Sequence, residues 1–109
     1  MNTVRLGQSD LLVTPICLGT MTFGGGAFFD KVGSSGVAEA RRQVDLCLDA
    51  GVNLFDTADV YSKGLAEEIL GEALGPKRVD VLIASKVRFT MGPGQNDVGL
   101  SRYHIQRAV

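Results

Sequence analysis

The sequence of 109 residues lacks both an excess of one charge and a long hydrophobic run. Its 11 basic and 12 acidic residues nearly cancel, which argues against nucleic acid or a strongly charged protein as a partner. No apolar run approaches the ~20 residues needed to span a bilayer, and no basic segment followed by an apolar one marks the N-terminus. We therefore expect a cytoplasmic protein with a small-molecule ligand and neither a nucleic-acid nor a membrane partner.

Cysteine is scarce as well. Cys17 and Cys47 each lie among apolar residues, without the spacing of metal ligands. This arrangement predicts two reduced thiols that pack in the core and no metal site.

The apolar pattern alternates between strands and helices. A length of 109 residues with 45% hydrophobic content suits one small domain. Two apolar runs around a turn-rich tetrad predict an N-terminal hairpin over residues 4–13, and a loop rich in glycine and serine follows at 24–36. Strands are predicted at 16–19, 52–55 and 81–84, and helices at 37–50, at 66–74 and from Ser101 onward.

Strands that alternate with helices predict a parallel α/β fold, either doubly wound or a β/α barrel. The last predicted strand, 81–84, is apolar throughout, which is typical of a strand covered on both faces. In both folds, ligands bind beyond the carboxyl ends of the strands.

Three chemically active side chains map to those strand ends. Asp56 and Tyr61 follow the strand 52–55, and Lys86 follows the strand 81–84. A tyrosine phenol keeps its proton near neutral pH until a strong base such as an alkoxide forms, and a nearby ammonium eases its donation. Together they suit carbonyl reduction, with Tyr61 as the acid, Lys86 stabilising its phenolate and Asp56 orienting Lys86. Taken singly, each side chain also fits an ordinary polar strand end.

A family resemblance rests on four sequence blocks in order and at matching spacing. They are GTMTFG at 19–24, GVNLFDTADVYS at 51–62, EEILGEAL at 67–74 and IASK at 83–86. The chain resembles the aldo-keto reductases. The resemblance implies that residues 1–109 are the N-terminal portion of one (β/α)8 barrel domain with an N-terminal hairpin, and that they form an incomplete barrel. It also implies NADPH-dependent interconversion of aldehydes or ketones and alcohols, with NADH as the other nicotinamide option.

The resemblance assigns roles residue by residue. Tyr61 matches the family's acid, and Asp56 and Lys86 match its two supporting residues. Gly19, Thr20, Met21 and Asp56 match positions that approach the cofactor. A tight strand exit that needs small residues explains residues 19–21 equally well.

The family's fourth catalytic residue, a histidine on the fourth strand, has no counterpart in this sequence. His104 is the single histidine and lies at the predicted start of the third helix, so we assign it a structural or solvent role. Three strands cannot close an eight-stranded barrel, so the 109 residues alone are expected to be inactive. Open sheet edges make self-association possible.

Two smaller features leave alternatives open. Relatives often cap the second helix with a serine, a role that Gly64 or Ser62 would take here. Phe28 and Phe29 would either wall an apolar substrate mouth or anchor the loop to the barrel rim.

Two other functions stay open beside carbonyl reduction. Lys86 in an apolar setting could lose its proton and form a Schiff base, as in lysine-dependent aldolases. The chain could instead be a regulatory or NADPH-binding module of the same fold without turnover, similar to the channel-associated members of the family.

Overall fold

The structure is a computed structural model that describes residues 1–25 and 33–109. The predicted role of Phe28 and Phe29 lies outside the described residues. The described elements reproduce the predicted order of hairpin, strand, helix, strand, helix, strand, helix.

An antiparallel hairpin begins the fold. Its strands are β1, Val4–Arg5, and β2, Leu12–Val13. The Leu6 N–H donates to the Leu11 carbonyl at 2.9 Å, so this pair closes the turn. Each strand is therefore one residue shorter than its apolar run.

A three-stranded parallel sheet follows the hairpin, in the order β3-β4-β5. Gly19 lies opposite Asp56, and Asp56 lies opposite Ala84. The carboxyl ends of the strands therefore lie side by side, as a parallel α/β fold requires. The strands are β3 (Leu18–Gly19), β4 (Leu54–Asp56) and β5 (Leu82–Ala84).

Three α-helices accompany the sheet in the described part of the chain. The first ends where predicted, because Gly51 takes a left-handed φ of 84° directly after the C-cap Ala50. The third is capped as predicted, with the Ser101 Oγ accepting from the His104 N–H at 3.0 Å. The helices are α1 (Val37–Asp49), α2 (Leu65–Leu74) and α3 (Arg102–Ala108), and short 3-10 helices cover Tyr61–Gly64 and Gly75–Asp80.

The core lies between the sheet and the helix pair α1 and α2. Apolar positions at helical spacing face inward on both helices, since each helix alone could not bury its apolar stripe. No helix in the described ranges combines the length and apolar character needed to cross a membrane. The buried cluster consists of Phe23, Ala40, Val44, Phe55, Ala66, Ile69, Leu70, Ala73, Leu74 and Val81.

Strand β4 begins later than predicted, because the side chain of Asn53 bonds the backbone of the N-terminal hairpin segment. Its Nδ2 donates to the Leu12 carbonyl at 2.9 Å, and its Oδ1 accepts from the Thr14 N–H at 2.9 Å. Asn53 thereby ties the hairpin to the sheet. The strand starts at Leu54 and extends to Asp56 instead of ending at Phe55.

The expectation that the strand over 81–84 is covered on both faces was wrong for the described residues. Val81 is buried but precedes the strand, Leu82 and Ile83 are half-buried, and Ala84 is exposed. Within residues 1–25 and 33–109, β5 pairs only with β4 and leaves its other edge open.

The prediction of two packed cysteines was right for one of them. Both thiols are free, but Cys17 is exposed just before β3, whereas Cys47 packs against the core from α1. Burial raises the pKa of the Cys47 thiol.

The two thiols should therefore differ in reactivity. Iodoacetamide should modify Cys17 about tenfold faster than Cys47 at neutral pH, because the thiolate is the nucleophile and access differs. Peptide mass spectrometry over time measures both rates. The Cys17→Ser variant should show only the slow phase, and equal rates in the parent would contradict the described burial.

Candidate active site

The candidate site forms where the sheet ends at β4 and β5. Asp56 is the last residue of β4, and Lys86 follows β5. Beyond the strands, the Thr57 N–H donates to the Ala84 carbonyl at 2.8 Å and the Asp59 N–H to the Lys86 carbonyl at 3.3 Å. These bonds hold the two strand exits together, so Asp56 and Lys86 meet as predicted.

Lys86 is the centre of the site. Its Nζ donates to Asp56 Oδ2 at 2.7 Å, to the Thr57 carbonyl at 2.8 Å and to Tyr61 Oη at 3.1 Å. It also lies 4.8 Å from the centroid of the Tyr61 ring. An ammonium has three N–H donors, and each has an acceptor here. The structure thus brings together all three residues predicted to be catalytic.

The surroundings keep Lys86 charged. Partial burial by itself would lower the pKa of the ammonium, but the hydrogen bonds with Asp56 and then Tyr61 outweigh it, so the pKa rises above its ordinary value. The side chains of Lys86 and Asp56 are 49% and 35% exposed, so the pair stays accessible to a ligand.

Tyr61 is placed by an unusual turn. It opens the 3-10 helix Tyr61–Gly64 and packs against the core. The next two residues, Ser62 and Lys63, take left-handed φ values of 48° and 56°. A left-handed backbone costs non-glycine residues about 1–2 kcal/mol each, so other contacts must compensate.

Of the two residues expected at the cap position of α2, Gly64 takes it. Gly64, with φ 95°, occupies the N-cap position of α2 without a side-chain bond. Ser62 does not cap the helix, because its hydroxyl bonds the backbone of Phe23 and Gly25 instead.

The residues predicted to approach a cofactor lie next to Asp56. Thr20 donates its N–H to the Asp56 carbonyl at 2.9 Å, and Met21 is 44% exposed. A Cβ added to exposed Gly19 would meet nothing within 4 Å, so the described residues do not require glycine there for packing.

These residues are compatible with the ribose of a nicotinamide nucleotide. Asp56 is bound to Lys86 through Oδ2, and its Oδ1 makes no hydrogen bond in the described part of the chain. That oxygen is available to accept from a hydroxyl group. Thr20 Oγ1, by contrast, is buried and without a described partner.

His104 takes the structural role that we predicted as one of two options. It is 5% exposed, and its Nδ1 lies 2.8 Å from the Gly99 carbonyl. Its described hydrogen bonds join the start of α3 to the loop before it and do not reach Lys86.

A buried acid that the sequence analysis left without a role lies behind the Tyr61 turn. Asp59 is 5% exposed, and neither carboxylate oxygen has a partner in residues 1–25 and 33–109. It lines a cavity of about 320 Å³ between the start of α2 and α3, together with Glu67, Asp97, His104 and Arg107. The same part of the chain holds no group of acidic, histidine or cysteine residues suited to a metal ion. Only burial, which one sequence does not reveal, distinguishes Asp59 from a surface acid.

Comparison with known proteins shows the family of the chain. The model of the Aldo/keto reductase family matches residues 15–109. The chain belongs to the aldo/keto reductase family. Its predicted family is thereby confirmed.

Individual relatives agree with the family. The protein named "Probable voltage-gated potassium channel subunit beta" of Arabidopsis thaliana is 44% identical over 108 residues, which is 96% of this chain and 30% of that relative. The holo form of an aldo-keto reductase from Bacillus halodurans is 34% identical, with a TM-score of 0.73, and the match covers 99% of this chain and 34% of that one. An aldo-keto reductase from Klebsiella pneumoniae in complex with NADPH is 33% identical, with a TM-score of 0.58, over 80% of this chain and 28% of that one.

The predicted fold class is also confirmed. The α/β arrangement corresponds to part of the aldo-keto reductase (β/α)8 barrel, and the chain spans about a third of the reductase structure from Bacillus halodurans. The roles of Asp56, Tyr61 and Lys86 stay predictions, as do those of Gly19, Thr20 and Met21.

The buried side chain of Asp59, which has no described partner, leads to a prediction about stability. Burying an ionisable carboxyl group without a partner costs more than burying an amide, so Asp59→Asn should raise the free energy of unfolding by about 1–2 kcal/mol at pH 7. Urea unfolding followed by circular dichroism measures the change.

A matched variant controls for the general effect of removing an acid. Asp49→Asn changes an exposed acid at the end of α1 and should shift stability by less than about 0.5 kcal/mol. A loss of stability in Asp59→Asn would contradict the prediction that the buried carboxyl group is a net cost to the fold.

Proposed function

We propose that this site serves the interconversion of aldehydes or ketones and alcohols with NADPH. One observation carries the proposal: Lys86 Nζ joins Asp56 Oδ2 at 2.7 Å and Tyr61 Oη at 3.1 Å at the carboxyl ends of adjacent parallel strands. A phenol next to an ammonium is suited to protonating an oxygen that becomes negative during reaction. The proposed partner is a small carbonyl or alcohol substrate.

When a carbonyl is reduced, the proton that the substrate receives comes from Tyr61 Oη. As negative charge develops on the substrate oxygen, Tyr61 Oη donates its proton to that oxygen and becomes a phenolate. Lys86 Nζ, already 3.1 Å away, stabilises this phenolate without moving. Asp56 holds Lys86 in place and in its charged form, which is a positioning role. In alcohol oxidation, Tyr61 takes the proton back.

A bound nicotinamide nucleotide would supply or accept the hydride, which no amino-acid side chain can do. Asp56 would hold its ribose through the Oδ1 atom, and the exposed exit of β3 at Gly19 and Met21 would border it. The NADPH complex of the reductase from Klebsiella pneumoniae supports this class of cofactor. NADPH is the proposed form, with NADH as the alternative.

A second candidate is a regulatory or NADPH-binding module of the same fold. The observation that favours it is the 44% identity to a protein named as a potassium channel subunit. The two candidates make different predictions for the complete natural protein that carries this sequence. NADPH binding without oxidation by any aldehyde of a broad panel would favour the regulatory module.

The geometry of Lys86 argues against a Schiff-base lyase. A nucleophilic lysine must lose its proton and present a free amine. Here, hydrogen bonds with Asp56 and Tyr61 raise the pKa of the ammonium. All three of its N–H donors also have acceptors, which favours the charged form further.

Replacing the proposed acid tests the leading proposal. In the complete protein, Tyr61→Phe should lower kcat for aldehyde reduction by about a hundredfold or more, because the oxygen that donates the proton is gone. The dissociation constant for NADPH should change by less than about threefold, since the hydroxyl acts on the substrate. Spectrophotometric assays of NADPH oxidation and fluorescence titration measure the two quantities.

The chain offers a matched control in its other tyrosine. Tyr103 is exposed on α3, and its hydroxyl accepts from Arg107. Tyr103→Phe should retain full turnover. Retained turnover in Tyr61→Phe would refute the proposed acid.

Chemical trapping tests the Schiff-base alternative. Borohydride added with a ketone should leave no adduct on Lys86, because a hydrogen-bonded ammonium does not attack a carbonyl. Intact-mass spectrometry compares the parent with Lys86→Arg, and the two should show the same adducts. An adduct lost in Lys86→Arg would establish a reactive amine at Lys86.

A further inference from the structure

The residue after Tyr61 adopts a backbone conformation that its type disfavours. Ser62 has φ 48°, and the left-handed path continues through Lys63 at 56° and Gly64 at 95°. Glycine is the residue that enters this region readily. A serine held there needs a compensating interaction, and its side chain provides one.

The hydroxyl of Ser62 binds the backbone of residues 23–25, which follow β3, at two points. It donates to the Phe23 carbonyl at 3.2 Å and accepts from the Gly25 N–H at 3.0 Å. Ser62 is only 6% exposed, so water does not compete freely for these bonds. We call these two hydrogen bonds of Ser62 Oγ, with Phe23 and Gly25, the Ser62 clasp. Phe23 itself is fully buried in the core, which gives the Ser62 clasp a rigid anchor.

The backbone at Gly24, Gly25 and Gly33 lies too close to Ser62 or to itself for a larger residue. A Cβ added to Gly24 would lie 2.7 Å from the Ser62 Cβ, and one added to Gly33 would lie 2.9 Å from the Ser62 Oγ. A Cβ at Gly25 would lie 2.7 Å from the Gly33 carbonyl oxygen. Gly24 and Gly33 therefore leave room for the Ser62 side chain, and Gly25 leaves room for the Gly33 carbonyl.

The turn that contains Tyr61 and Ser62 is also bonded to the first residue of α2. The Leu65 N–H donates to the carbonyls of Tyr61 and Ser62. Tyr61 thus lies on a segment that is held on one side by α2 and on the other by the Ser62 clasp.

We propose that Ser62 is a positioning residue for Tyr61: the Ser62 clasp holds the left-handed turn that sets Tyr61 Oη beside Lys86 Nζ. This inference rests on the proposed role of Tyr61 as the acid. The Ser62 clasp couples residues 23–25 to the position of Tyr61. The meeting of the strand ends at Asp56 and Lys86 does not provide this coupling.

Two substitutions at Ser62 separate the clasp from the backbone. Ser62→Ala removes the hydroxyl and keeps a Cβ in the left-handed region. Ser62→Gly removes the hydroxyl and relieves the strain. If only backbone conformation mattered, Ser62→Gly would match or exceed the parent. The clasp predicts a loss in both variants.

Lys63 provides the matched control. It has the same left-handed backbone but an exposed side chain without a described hydrogen bond. Lys63→Gly relieves the neighbouring strain and leaves the clasp intact, so its turnover should stay within about twofold of the parent.

The first readout is the single-turnover rate of NADPH oxidation with an aldehyde in the complete natural protein. Ser62→Ala and Ser62→Gly should both lower it by about tenfold to a hundredfold, the range expected when a reacting group is displaced by a fraction of an ångström to about an ångström. The dissociation constant for NADPH should change by less than about threefold. A Ser62→Gly protein that keeps the parent rate would overturn the positioning role.

The second readout is amide hydrogen exchange and does not depend on activity. The Gly25 N–H, which donates to Ser62 Oγ, should exchange about fivefold or more faster in Ser62→Gly. The Gly24 N–H donates to the Ser35 carbonyl at 2.9 Å and should stay unchanged as an internal reference. Unchanged Gly25 exchange would overturn the clasp itself.

These outcomes keep the two proposals apart. A parent protein without aldehyde turnover overturns the proposed function, and with it the role of Ser62 in reduction. An active parent that loses activity in Tyr61→Phe but not in Ser62→Gly overturns only the role of Ser62.

Discussion

The hydrogen bonds of the Lys86 ammonium are the interactions on which the rest of the site depends. Its three hydrogen bonds join the last residue of β4, the backbone that follows β4 and the phenol of Tyr61. A neutral amine would give up part of this arrangement, because only the charged form donates three strong bonds at once. The hydrogen bonds raise the pKa of Lys86, and the charged form that results is the one that can make all three bonds. The chemistry proposed for Tyr61 requires this charge, whereas a Schiff base would require its loss.

Much of the framework follows from local rules that a single sequence displays. The apolar spacing in α1 and the left-handed Gly51 after it mark a helix with a defined end. Asp56 and Lys86 were expected to meet because parallel strands bring their carboxyl ends to one edge, and they do. Ser101 was recognisable as a cap because its hydroxyl accepts from a nearby N–H of the same helix.

What could not be predicted depends on contacts between distant residues. The Ser62 clasp joins residues that are 39 and 37 positions apart, and serine is a residue type that rarely marks a left-handed turn. Cys17 and Cys47 look alike in sequence, yet their exposure differs because only Cys47 lies on a helix face that meets the core. Asp59 reads as a loop acid until its burial is known. In each case, tertiary packing determines the contacts and burial of the residue, and the local sequence does not indicate them.

Asn53 has a wider implication for how the chain acquires its correct strand alignment. It sits immediately before β4 and fastens Leu12 and Thr14, whereas Asp56 ends the same strand and fastens Lys86. Side chains alternate along a strand, so a slip of one residue would turn Phe55 out of the core and disengage both ends together. The hairpin contacts of Asn53 and the contact between Asp56 and Lys86 therefore form in one and the same strand alignment, and a strand shifted by one residue would form neither.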